Sequence, residues 1–207
     1  MRCSVRRTRC AVRRTLTFAK EIMIRPDPIL IGYFPKITAC PDSSFGVTSV
    51  KEICSVSTCI SEAPDDWIDR WKHNLTWWLY DTEQLARSIV ETNAELYDIY
   101  AYKIFPVVFD EKTETPISVE TSATGNLSDF DFLGYDAVSR EDGVSEFCHS
   151  PLSCNGGWEK YKVNRYCLID DLDQAWRITS EIARDANEKN LWEPGKYYLC
   201  GVYRKRK

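Results

Sequence analysis

VNRYCLIDDLDQAWRITSEIARDANEKNLWEPGKYYLCGVY, residues 163–203, passes from strand to helix to strand and fixes the fold class. Val163 to Ile169 is rich in apolar and aromatic side chains and reads as a strand. Asp170 is a natural N-cap, with Asp173 at the third helical position, where a carboxylate meets the positive end of the helix dipole. From there Leu172, Ala175, Trp176, Thr179, Ile182, Ala183 and Ala186 recur at spacings of three and four, so they share one buried stripe. Pro194-Gly195 makes a tight turn, Tyr197 to Tyr203 returns as a strand, and Arg204 to Lys207 forms a basic tail.

Working outward, the same signals recur without strict alternation. Ile29 to Phe34 reads as a first strand between prolines, and Val50 to Ser57 as a half-buried one. Pro64 opens a long helix to about Glu91, with Trp67, Trp71, Leu75, Trp78, Leu85 and Ile89 along one face. Leu96 to Phe109 reads as a strand, and Pro106 inside it requires an edge position or a bulge. Phe132 to Val138 and Glu146 to Leu152 complete the strands, with a short one around Ile117 to Val119. The expectation is one α+β domain: a mixed or antiparallel sheet of about seven strands with one long and one shorter helix.

That domain is expected to span residues 23–207. Residues 1–22 carry Arg2, Arg6, Arg7, Arg9, Arg13, Arg14 and Lys20 against Glu21 alone, a net +6; the whole chain is −4, so residues 23–207 sum to −10. The first 22 residues read as a disordered basic tail or as a start placed too early, with Met23 the alternative start. An acidic globule repels phosphate backbones, which speaks against nucleic-acid binding by the main domain. No apolar run reaches the roughly 20 residues that span a bilayer, so no membrane partner is expected. Nine cysteines without an export signal point to reduced thiols and a cytoplasmic location.

Two groups of residues stand out as candidate sites. At helical pitch Arg70, His73, Trp77 and Tyr80 fall opposite the apolar stripe of the long helix. Aromatics and arginine there suit a contact surface for a protein partner, with acids at the rim steering a basic one. The second group runs through Tyr135, Asp136, Cys148, His149, Ser150, Cys154, Asn155 and Trp158. There His149 is the candidate general base, Cys148, Cys154 or Ser150 the nucleophile, and Asp136 or Asn155 an orienting group. Tyr135, Asn155 and Trp158 are the binding candidates beside them.

Other chemistries find weaker support. Cys54, Cys59, Cys148, His149 and Cys154 number enough for zinc, but no short Cys-x-x-Cys knuckle exists. Asp129 and Asp131 read as solvated acids, and no dinucleotide fingerprint or P-loop is present. No metal or cofactor is expected. Two readings remain: a protein-binding module of accessory, inhibitor or immunity type, or a small hydrolase or group-transfer enzyme acting on a small molecule through residues 135–158.

Overall fold

A computed structural model describes residues 25–41, 48–57, 77, 79–110, 112–140, 149–189 and 191–207. These form an open antiparallel sheet of five strands with three helices. The strands are β1 (Ile29–Lys36), β2 (Asp98–Phe109), β3 (Glu114–Pro116), β4 (Phe130–Arg140) and β5 (Lys196–Lys205). The helices are α1 (Glu83–Ile89), α2 (Gly157–Lys160) and α3 (Leu172–Lys189). The sheet order is β1-β2-β5-β4, and β3 pairs with the end of β2. Among the described residues no helix is long and apolar enough to cross a membrane.

The sheet is covered on both faces. On one side Ala175, Trp176, Ile178, Ile182 and Ala183 of α3 pack on Phe105, Phe109, Ala137, Tyr197 and Leu199. The opposite core holds Tyr100, Tyr102, Ile104, Val138, Cys200 and Val202, closed by α1, Cys54, Val56, Trp77, Leu79 and Tyr80. β5 shows why: its burial alternates between the two cores, Tyr197 and Leu199 on one, Tyr198 and Cys200 on the other.

The sheet has five strands where about seven are expected. Val50–Ser57 contributes only an isolated bridge, Ile53 to Ala39; Val163–Ile169 only Ile169 to Tyr135; and Glu146–Leu152, described from His149 onward, only His149 to Ser139. Each is a one-rung contact that does not extend the sheet; the two on β4 lie along its outer edge. The short strand expected at Ile117–Val119 lies at Glu114–Pro116 instead. Pro106 sits where the β2–β5 register shifts between Ile104 and Val108, the bulge its missing N–H demands. The cap of α3 is Asp171, whose Oδ1 accepts the Gln174 N–H at 2.8 Å, while Asp170 accepts from Asn164.

The long helix needs correction. Most of residues 64–78 lie outside the described residues, but Tyr80 is not helical. It exchanges two 2.9 Å backbone hydrogen bonds with Tyr33, and a helix begins only after Thr82, whose Oγ1 accepts the Leu85 N–H. Trp77 and Tyr80 are 3% and 0% exposed. The Trp77 indole N–H donates to the Glu120 carbonyl at 2.7 Å, and the Tyr80 ring stacks with Phe34. They are core residues. A helical projection separates residues by angle, and it fails once the backbone at Tyr80 is extended. Arg70 and His73 lie outside the described residues.

Candidate functional site

Neighbouring residues of a strand face opposite ways, so β4 presents Tyr135 to one side of the sheet and Asp136 to the other. Two distinct sites follow.

Asp136 lies across from Cys200 in register and is fully buried. Its carboxylate accepts the Ser55 hydroxyl at 2.5 Å, the Ser150 hydroxyl at 2.6 Å and the Val56 N–H at 3.1 Å. Lys36, only 4% exposed, donates to the Ser55 and Ser57 carbonyls at 2.8 and 3.2 Å, and its ammonium lies 5.7 Å from the Tyr102 ring centre. Burial pushes the Asp136 carboxyl up; the two hydroxyls, the amide and the Lys36 charge pull against it. The cluster ties three segments together: β1 through Lys36, the 50–57 segment through Ser55, and the 149–154 turn through Ser150.

Cys154 sits half-buried at the outer edge of this cluster. Its sulfur lies 3.5 Å from the Ser57 hydroxyl and 3.4 Å from the Ser150 amide, which donates to it. Of the enzyme candidates, the fold therefore assembles Asp136, Ser150 and Cys154. His149 enters only through its backbone carbonyl, which accepts the Ser139 N–H at 2.9 Å. Among the described residues no contact joins its imidazole to Asp136 or Cys154. Asn155 is exposed, Trp158 is half-buried in α2, and Cys148 lies outside the described residues.

The remaining described thiols are poorly placed for chemistry, apart from exposed Cys40. Burial pushes Cys54 up to about 11 and Cys167 up to about 12, and it raises Cys200 as well. Cys54 lies 3.6 Å from the Tyr100 hydroxyl, a packing contact inside the core. Cys59 lies outside the described residues, and among those described no group of three metal-ligating side chains gathers. Asp129 pairs with Lys205, and Asp131 with Arg206.

The Tyr135 side carries a row of rings. Trp176 meets Phe105 edge-on at 5.7 Å, Phe105 lies 6.1 Å from Tyr135, Tyr135 meets Phe132 edge-on at 4.9 Å, and Phe132 lies 5.1 Å from Tyr203. The row goes from buried to open: Trp176 is 4% exposed and Phe132 is 42% exposed. A bulge makes it possible. The β4–β5 register shifts between Phe132 and Gly134, so Phe132 and Tyr135, three apart, share a face that regular alternation denies them. Gly134 holds φ +140°, and a Cβ there would stand 2.8 Å from Leu168 Cβ and 3.0 Å from the Ile169 carbonyl. Only glycine suits that position.

Cations already use this row. The Arg25 guanidinium lies 5.0 Å over Trp176 and pairs with Asp173, and the Lys103 ammonium lies 5.7 Å from Tyr203. Burial first, and then the Asp171 carboxylate, raise the Tyr135 phenol. A separate cleft of about 300 Å³ opens by Tyr97, Arg87 and Lys205–Lys207. Three of its bases make ion pairs: Arg87 and Lys205 share Glu83 at 2.6 and 3.1 Å, and Lys207 meets Asp98 at 3.0 Å.

Phe132, Tyr203, Lys36 and Ser55 are the participants that sequence reasoning misses. An exposed ring inside a strand is indistinguishable from a core ring until the bulge is known. Ser55 and Ser57 alternate with Cys54 and Val56 and read as the wet face of a strand, yet all four are buried. Comparison with known protein families, with curated proteins and with solved structures finds no match.

Proposed function

We propose that this chain is a protein-binding module whose contact surface is the open end of the aromatic row, Phe132, Tyr135 and Tyr203, and whose partner is basic. The observation that carries this reading is Phe132, 42% exposed on a sheet strand and held between two further rings. Rings fixed by a sheet lose little conformational freedom on binding, which is why aromatic side chains anchor interfaces. The net −10 of residues 23–207 gives a basic partner a long-range attraction.

Peptide display tests it. Selection on the wild-type protein, with counter-selection on Phe132→Ser, is expected to enrich peptides that combine Lys or Arg with an apolar residue. Their affinity is expected to drop about tenfold or more on Tyr203→Ala. Peptides that bind both proteins equally would remove this surface from consideration.

A second reading has its own observation, the convergence of Asp136, Ser150 and Cys154. In it Cys154 is the nucleophile of a small hydrolase or transferase. It predicts that Cys154 reacts with iodoacetamide faster than exposed Cys40; the binding-module reading predicts that it reacts more slowly.

A further inference from the structure

Resting on that binding reading, we propose that the surface between Tyr135 and Phe132 is an arginine slot. A guanidinium of an arginine-rich partner segment lies against these rings and pairs with Asp171.

The molecule already contains one such slot, and it is filled. Arg25 lies over Trp176 and pairs with Asp173, an acid in the first turn of α3. Two residues earlier Asp171 stands at the N-cap of the same helix, two residues after Ile169, whose bridge to Tyr135 pins β4 to the chain entering α3. Phe105 connects Trp176 to Tyr135. Lys103 occupies the far end of the row at Tyr203. Among the described residues no cation lies over Phe132 or Tyr135.

The chemistry favours arginine over lysine. A guanidinium is planar and weakly hydrated, so it can lie flat on a ring while its edge donates to a carboxylate. An ammonium keeps its water and gains less from the ring. Asp171 uses Oδ1 to cap Gln174, and a carboxylate has acceptor capacity for both tasks.

The test is titration of the full chain with nona-arginine and with nona-lysine at 150 mM salt, followed by amide chemical shifts. The expected result is binding of nona-arginine about tenfold tighter, with shifts centred on Phe132, Tyr135, Asp171 and Tyr203. Asp171→Asn keeps the helix cap, since asparagine caps well, and is expected to abolish that preference. Equal affinity for the two peptides, or shifts spread over the acidic surface, would overturn the arginine slot. Display-selected peptides that still need Phe132 would then leave the binding module standing, whereas loss of those too would sink both. Self-association by sedimentation that disappears in Phe132→Ser would replace the arginine segment with a second copy of the chain.

Discussion

Tyr135 and Asp136 are adjacent on β4 and show two uses of one strand. Asp136 is the residue with chemical capability, and it is sealed: fully buried, with both oxygens engaged by hydroxyls. Tyr135, half-buried, faces the other side of the sheet and meets Phe132, which is 42% exposed. The contrast separates reactivity from access. A carboxylate, two serines and a lysine resemble a catalytic set by inventory. When each is less than 5% exposed and each makes a hydrogen bond, the set behaves as a structural staple.

The sharpest way to break this contrast is to remove Asp136. Asp136→Ala strands the Ser55 and Ser150 hydroxyls, the Val56 N–H and the buried Lys36 charge. A loss of about 3–5 kcal/mol is expected in urea unfolding, enough to unfold a marginal domain. Asp136→Asn keeps the shape and one acceptor, and costs less. The pH dependence has a definite sign. Asp136 holds its proton more tightly folded than unfolded, so its contribution is complete below about pH 4 and declines as pH rises past that. The Asn variant should lack this decline. Full stability with Asp136→Ala would show that the cluster is no staple, and would reopen its reading as a reactive centre.

A second buried acid sharpens the comparison with a smaller effect. Asp185 on α3 is 2% exposed, like Asp136, but its partners are bases: Lys189 at 2.9 Å, Lys160 of α2 at 3.1 Å and Arg184 at 3.2 Å. Burial alone would raise it, and these hydrogen bonds overcome that and hold it down at about 2. Its stabilisation is present above about pH 4 and is lost as pH falls toward 2, the opposite of Asp136. The three bases are 41–52% exposed and screened by salt, so about 1–2 kcal/mol is at stake. Comparing wild type with Asp185→Asn between pH 4 and pH 2 checks it, and parallel curves would mean that the ion pairs contribute nothing.

How much of this the sequence discloses depends on whether local or distant residues decide. β2, β4, β5 and α3 can be read from periodicity, because their own side chains form both cores. The 50–57 segment misleads because its serines are satisfied by Asp136, 81 residues away from Ser55, and no local pattern reveals a distant acceptor. Tyr80 misleads because its partner is the β1 backbone at Tyr33, which outcompetes helix propensity at that point. Asp136 and Cys154 are identifiable from residue type, and their meeting at Ser150 comes only from the fold. The open aromatic end was half visible: Tyr135 stands out as a binding candidate, but Phe132 reaches it through a bulge centred on Gly134, which reads as an ordinary strand glycine.

The smallest stability effect is expected where the functional effect should be greatest. Phe132 loses contact with Tyr135 and Tyr203 when replaced by serine, but it is already 42% exposed. About 1 kcal/mol or less should disappear. Phe109 is the control, a ring on β2 that is fully buried against Trp176, and Phe109→Ala should cost about 3–5 kcal/mol. Thermal unfolding of the two variants side by side separates a ring kept for the core from a ring kept for a surface. If Phe132→Ser proved as damaging as Phe109→Ala, the row would be core to its end, and the contact surface would have to lie elsewhere.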